Sequence, residues 1–158
     1  MKKIDWKNLS YYDFIGIVAV TAILLFVLYF GGLWYATYDY RIQMRDQMVG
    51  MYQHLPEPLP VVSEDYGVHQ RWLVFYIDGV KILNKPQPEN VINEYKKALE
   101  KEGWATEREY EHVRNDKNKI YGINMRKGEF ILSVSARENR DSINIHLIKR
   151  DWIYNKGF

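Results

Sequence analysis

The sequence predicts an α+β protein in which one N-terminal transmembrane helix precedes a small domain with one helix packed on an antiparallel sheet, in the order β-α-β-β-β-β. The prediction depends on a long apolar run near the N-terminus, one segment with apolar residues at helical spacing, and several segments in which apolar and polar residues alternate. With 158 residues, the chain has room for one globular domain beside the membrane helix.

The run from Phe14 to Tyr38 contains no charged side chain and is the predicted membrane anchor. About 20 apolar residues, at a rise of about 1.5 Å each, cross a hydrocarbon core of roughly 30 Å. The run exceeds the apolar core of a typical signal peptide, and no A-x-A-like cleavage site follows it, so we expect it to be retained. Aromatic side chains, which prefer the headgroup boundary, lie at both ends: Tyr11, Tyr12, Trp34, Tyr35, Tyr38 and Tyr40.

The distribution of basic residues predicts the orientation of the anchor. Lys2, Lys3 and Lys7 precede the apolar run, whereas only Arg41 and Arg45 follow it closely. Since basic residues favour the cytoplasmic side, we expect residues 1–13 to be a cytoplasmic tail and the domain to lie outside the cytoplasm, at a bacterial inner membrane or cell membrane.

Residues 39–55 are predicted to form a juxtamembrane stem helix, because no proline interrupts them. Met44, Met48, Met51 and Leu55 recur along it at heptad-like spacing. Methionine is common where a helix meets a partner surface. The stem is therefore expected either to bind another subunit or a second copy of the chain, or to lie on its own domain or on the headgroups.

Alternating prolines in residues 56–60 predict a stiff spacer, which makes residues 61–158 the globular domain. Hydrophobic periodicity and turn residues divide this domain into one helix and five strands. The helix is expected over Glu89–Glu102, with Gly103 as its C-terminal cap. The strands are expected over Arg71–Ile77, Trp104–His112, Lys119–Arg126, Glu129–Ala136 and Ser142–Lys149.

The alternation also predicts which side chains face the core. Phe130, Leu132 and Val134 are expected to point inward, as are Ile143, Ile145 and Leu147. The first predicted strand is apolar on both faces, so one face needs cover beyond a single helix. Ile131 and Ile148 are expected on that uncovered side, which either a partner protein or the C-terminal segment would cover. The predicted partner-binding residues of this strand are Leu73, Phe75 and Ile77; the predicted C-terminal cover consists of Trp152, Ile153, Tyr154 and Phe158.

The run Tyr95-Lys-Lys-Ala-Leu-Glu-Lys-Glu-Gly-Trp104, followed by hairpin strands, resembles a pattern of small bacterial envelope proteins. In these proteins, a helix of the form Y-K-x-x-L-x-x-x-G-W precedes a β-meander behind a lipid or transmembrane anchor. The resemblance covers Val68 to Arg150. It implies an envelope location and a helix-on-meander fold, and it implies no functional residue.

Residue types that support chemistry are sparse. The absence of cysteine excludes disulfides, cysteine zinc sites and thiol nucleophiles. The four histidines have no metal-ligand spacing, and the serines lack a G-x-S-x-G setting. Glu107, Glu109 and Glu111 alternate along one strand, which favours a solvated edge over a calcium site. We therefore expect no catalytic residue, no cofactor and no metal.

Function is predicted from the architecture. Twenty-two basic residues against 20 acidic ones make the chain nearly neutral, without the basic concentration of nucleic-acid-binding proteins. We expect a non-catalytic, membrane-anchored accessory or scaffold subunit. It would contact the bilayer, and a protein partner or second copy through the stem. The alternative is an extracytoplasmic binding module for a peptide, a glycan or a lipid.

Overall fold

The computed structural model describes residues 11–71, 74–84, 87–113 and 118–150. These residues form three helices and six strands, so the chain is α+β as predicted, with one strand more than the sequence indicated. The elements are α1 (Tyr11–Ala36), α2 (Tyr38–Gln53), β1 (Val61–Arg71), β2 (Val74–Leu83), α3 (Pro88–Lys101), β3 (Ala105–Val113), β4 (Lys119–Lys127), β5 (Phe130–Arg137) and β6 (Ser142–Lys149).

The chain divides into two compact units, Met1–Ile42 and Gln43–Phe158. The second unit thus begins within α2, whereas the sequence suggested a boundary at the proline-rich residues 56–60. In the first unit, the segment Phe14–Ala36 is long and apolar enough to cross a membrane, and none of its side chains is buried. A signal sequence near an N-terminus meets the same criteria.

Polar side chains cap the C-terminal end of α1. The Thr37 hydroxyl donates to the carbonyl oxygen of Leu33 at 2.8 Å, and Arg41 Nη2 donates to that of Trp34 at 2.9 Å. The Arg41 guanidinium also lies 3.4 Å from the centroid of the Trp34 ring. These contacts satisfy carbonyl groups that the helix leaves without partners, and they place a cation at the negative end of the helix dipole.

The second unit is built on one antiparallel sheet with the strand order β1-β2-β6-β5-β4-β3. One row of facing residues runs Ile77, Leu147, Leu132 and Met125, and all four are buried. We call this side the covered face. On the opposite side, which we call the open face, the non-glycine side chains are half-buried or exposed. The predicted inward orientation of the β5 and β6 residues is confirmed by their burial.

Helix α3 packs over one half of the covered face, against β3, β4 and β5. Its apolar stripe is buried, as the helical spacing requires: Val91, Ile92, Tyr95 and Leu99. Gly103 follows the helix with a φ of 83°, and the Trp104 N–H donates to the carbonyl oxygen of Leu99. The predicted glycine cap is therefore present, because a left-handed residue ends a helix at little cost when it is glycine.

The second half of α2 lies on the other half of the covered face, near β1, β2 and β6. The Tyr52 ring lies above Gly79 of β2 and 4.9 Å from the Tyr66 ring of β1. Lys149 of β6 donates to the Gln47 side chain at 3.2 Å. The sequence predicted a single helix on the sheet; the described structure has two on the same face, because the stem contributes the second.

The extra strand arises where the sequence predicted one strand over Arg71–Ile77. Residues 61–71 and 74–83 form two long paired strands, so Asp78-Gly79 lies within β2 and does not end it. The polar residues of β1 concealed its strand character, since an edge strand needs few buried side chains. Gly79 is tolerated in β2 because the Tyr52 ring occupies the space of the missing Cβ.

This packing predicts the effect of Gly79→Ala. A Cβ at this position would overlap the Tyr52 hydroxyl and lie 2.7 Å from Cζ, so the substitution should displace α2 from the sheet. We expect a loss of about 1–3 kcal/mol, as for other overpacked sites. Urea denaturation of the full-length protein in mild detergent, followed by tryptophan fluorescence, measures the change.

The matched control is Gly67→Ala in the neighbouring strand, where a Cβ meets only the exposed imidazole of His69. This side chain can move, so we expect a smaller loss. Equal losses for the two variants would contradict the docking of Tyr52 on Gly79.

Candidate functional site

A continuous row of polar side chains crosses the open face. Asp78 of β2 faces His146 of β6, which faces Ser133 of β5; the row continues through Asn124 of β4 to Arg108 of β3. Side chains that face each other across neighbouring strands have Cβ atoms about 4.5–5.5 Å apart, so the row is contiguous. The open face therefore carries an ordered set of hydrogen-bonding groups in the middle of the sheet.

At one end of this row, two imidazoles flank a single carboxylate. His146 Nδ1 donates to Asp78 Oδ1 at 2.6 Å, and His69 Nε2 lies 3.7 Å from Asp78 Oδ2. The Tyr76 ring lies between the imidazoles, stacked on His69 at 5.0 Å and tilted against His146 at 5.6 Å. We call these four residues the histidine cluster. Its polar side chains are about half exposed and accessible to a ligand.

The described contacts of the histidine cluster are hydrogen bonds, close charged groups and ring contacts. A nucleophilic serine requires a hydrogen bond to its base, and among the described residues Ser133 and His146 face each other without a hydrogen bond. In the same part of the chain, no group of three histidine or acidic side chains is arranged to hold a metal ion. The exposed imidazoles and carboxylate can instead exchange hydrogen bonds with a bound molecule.

Apolar side chains lie beside the histidine cluster. Tyr76, Ile148 and Ile131 form the adjacent row across three strands and are half-buried. Val80 and Ile82 continue along β2 and are 41% and 43% exposed. The predicted position of Ile131 and Ile148 on the less covered side agrees with the structure. The open face thus combines apolar and polar groups, as the interfaces of non-obligate complexes do.

A second polar cluster lies on the covered face around one buried lysine. The Lys81 ammonium is 2.5 Å from Glu57 Oε1 and 3.3 Å from Glu64 Oε1, and the residue is only 2% exposed. Burial, and then the nearby Glu64 carboxylate, raise the pKa of Tyr52. Burial also raises the pKa of Tyr95, with Glu57 and Glu64 adding to the effect. Both phenols are therefore neutral under ordinary conditions.

The Lys81 cluster joins separate segments of the chain. Glu57 belongs to the proline-rich segment, Glu64 to β1 and Lys81 to β2. The Tyr52 ring of α2 lies 5.9 Å from the Lys81 ammonium. A buried cation with two carboxylate partners is compensated, so the simplest role of this cluster is to hold the proline-rich segment against the sheet.

The predicted partner-binding residues of the stem are mostly buried in the chain itself. Met44, Met48 and Leu55 are buried, and Met51 is half-buried. The structure thus corresponds to the alternative in which the stem lies on its own domain. Tyr52, which the predicted seam omitted, is the residue that lies directly on the sheet. A contact of these residues with a partner stays a prediction.

The predicted partner-binding residues of the sheet also require a correction of face. Phe75 and Ile77 are buried on the covered face, since Ile77 pairs with Leu147. Their neighbour Tyr76 points to the open face instead. Leu73 and the predicted C-terminal cover of Trp152, Ile153, Tyr154 and Phe158 lie outside the described residues. The sequence has apolar residues on both sides of this strand, and only the strand pairing shows which of the two sides is buried.

The three glutamates of β3 do not share one face, because a bulge lies between Thr106 and Arg108. Glu107 approaches Arg126 at 3.5 Å. Glu109 and Glu111 instead accept hydrogen bonds from Lys96 and Lys119, and these bonds raise the pKa of both lysines. All three carboxylates therefore have cationic partners on the protein surface.

The sequence did not reveal the histidine cluster. The predicted inward orientation of Ile145 and Leu147 implies an outward His146, which the structure confirms, but His69 and Asp78 became its neighbours only through the pairing of β1, β2 and β6. Comparison of the chain with protein-family models, curated proteins and solved structures finds no match. The resemblance to small envelope proteins accordingly stays a prediction.

Proposed function

We propose that this protein is a non-catalytic, membrane-anchored accessory subunit that presents the open face of its sheet to a partner protein. In this proposal, α1 is retained as a single-pass anchor and residues 1–13 are cytoplasmic. The domain then lies outside the cytoplasm of a bacterial cell, as the distribution of Lys2, Lys3 and Lys7 favours. No bound metal or cofactor is required.

The observation that carries the proposal is the composition of the open face. Along the open face of β2, the half-buried Tyr76 lies on one side of Asp78 and the exposed Val80 and Ile82 lie on the other, so the polar groups of the histidine cluster have apolar side chains on both sides. Apolar anchors next to exposed hydrogen-bonding groups are the usual arrangement of a protein-binding surface. The covered face offers no comparable surface among the described residues, since α2 and α3 pack against it.

A binding module for a peptide, a glycan or a lipid is the second candidate. The histidine cluster favours it, because exposed imidazoles, a carboxylate and a tyrosine ring can recognise a polar ligand without a large interface. The two candidates differ in what should contact Val80, which is a protein surface in the first and solvent or a small ligand in the second.

Photo-crosslinking distinguishes these candidates in the native membrane. We expect a benzoylphenylalanine at Val80 of the full-length protein to form a defined adduct with one separate protein. The matched control is the same group at Lys97, whose side chain is 66% exposed on α3. This position should give no adduct. The protein must remain in the membrane fraction after a high-salt wash.

Mass spectrometry of the adducts then decides the proposal. One partner protein captured at Val80 and absent at Lys97 supports the accessory role. An adduct with a glycan or a lipid alone supports the second candidate. Equal adducts at both positions, or none at Val80 in folded protein, contradict the proposed docking face.

A further inference from the structure

A cavity of about 270 Å³ opens on the side of the sheet that carries the open face, next to the turn between β5 and β6. It is separate from the histidine cluster and shares no residue with it. The described residues that line it include two arginines, one serine and one asparagine, and none carries a carboxylate: Ile120, Ser135, Ala136, Arg137, Arg140 and Asn144.

The strand pairing holds most of these donors in place. Ser135 and Asn144 face each other across β5 and β6, and Arg137 faces Ile120 across β5 and β4. Arg140 extends from the turn, where its backbone N–H donates to the carbonyl oxygen of Arg137. Polar groups from two strands, β5 and β6, and from the turn between them therefore converge on one cavity that is built on paired backbone.

Three of the side chains that line the cavity, those of Ser135, Arg140 and Asn144, are available to a ligand. The Arg140 guanidinium makes no ion pair or hydrogen bond with another described residue, and the same holds for the side chains of Ser135 and Asn144. The neighbouring Glu138 carboxylate does not line the cavity, and its Oε2 accepts the Lys119 N–H at 3.0 Å. Asp141 belongs to the same turn but does not line the cavity.

We propose that this cavity binds a phosphate group. Guanidinium groups donate paired hydrogen bonds in a fixed fork that matches phosphate oxygens, and Ser and Asn side chains add single donors. The Arg140 guanidinium also offsets part of the charge of a phosphate monoester, which is close to −2 at neutral pH. The phosphate belongs either to a soluble molecule or to a lipid headgroup. This assignment goes beyond the proposed accessory role and does not depend on it.

Titration of the full-length protein in maltoside micelles, which contain no phosphate, tests the site. We expect inorganic phosphate to bind saturably by calorimetry at constant ionic strength, whereas chloride does not. Arg140→Gln should weaken binding by roughly 10-fold or more, since about 1.4 kcal/mol corresponds to a factor of ten and charge-assisted hydrogen bonds contribute at least that.

Arg126→Gln is the matched control. Arg126 also lies on the open face, but its side chain donates to the carbonyl oxygen of Gly128 at 3.0 Å and approaches Glu107, outside the cavity. Its replacement should leave phosphate binding unchanged. Thermal unfolding of both variants without phosphate confirms that they are folded.

A second arm adds short-chain phosphatidic acid or phosphatidylcholine to the micelles. Binding of phosphatidic acid that requires Arg140 supports the proposal and assigns the phosphate to a lipid; binding of inorganic phosphate alone assigns it to a soluble molecule. If neither binds, or if Arg140→Gln and Arg126→Gln weaken binding equally, the cavity is not a phosphate site.

Discussion

Replacing Glu57 and Glu64 together with glutamine should destabilise the protein by about 3 kcal/mol. Both carboxylates lie within 3.3 Å of the Lys81 ammonium, whose side chain is 3% exposed. The substitutions leave a buried cation without a compensating charge, which costs about 3–5 kcal/mol when one partner of a buried pair is removed. We expect a loss at the lower end of this range, because the glutamine oxygens still accept hydrogen bonds and both positions are partly exposed.

Adding Lys81→Met to this double variant isolates the buried charge as the cause. The triple variant should regain most of the lost stability, since an apolar side chain of similar length suits the buried position. Urea denaturation in mild detergent measures all three proteins. If the triple variant is no more stable than the double variant, the loss does not come from an uncompensated Lys81.

Leu132→Ala should destabilise the protein by about 2–5 kcal/mol. Leu132 is 1% exposed and lies in the central row of the covered face, between Met125 and Leu147. Truncation removes buried apolar surface and leaves a cavity that the surrounding strands can only partly fill. The same denaturation experiment measures the loss.

Ile131→Ala is the control on the adjacent residue of β5. Ile131 points to the open face and is only half-buried. Its truncation therefore removes less buried apolar surface than that of Leu132 and leaves a smaller cavity. We expect a clearly smaller loss. If Ile131→Ala costs as much as Leu132→Ala, the open face is more thoroughly covered in the folded protein than the described residues indicate.

Local patterns were sufficient for most elements. The charge-free run up to Tyr38 predicts α1, because only a continuous apolar stretch suits a hydrocarbon interior. The predicted range of β6 agrees with the structure, and those of α3, β4 and β5 differ by at most one residue at either end. In each case one side of the element is buried, so its apolar residues recur at the spacing of a helix or a strand. This spacing can be recognised within the segment, without knowledge of its tertiary partners.

The pairing of β1 with β2 could not be predicted in this way. Glu64, Asp65 and Gly67 interrupt the alternation of β1, and Asp78-Gly79 looks like a turn. In the structure, Glu64 contacts Lys81 and Gly79 lies under Tyr52, so these two apparent strand breakers have tertiary partners. These partners override the local signal because strand propensity depends strongly on context.

The sequence by itself thus determined an apolar N-terminal helix, an amphipathic helix and a β-meander with a defined inner side. Tertiary structure alone decided that α2 lies on the sheet, that Phe75 and Ile77 are buried, and that His69, Asp78 and His146 meet. The physical reason is distance along the chain. Asp78 and His146 are 68 residues apart, and only the register of paired strands brings such residues together.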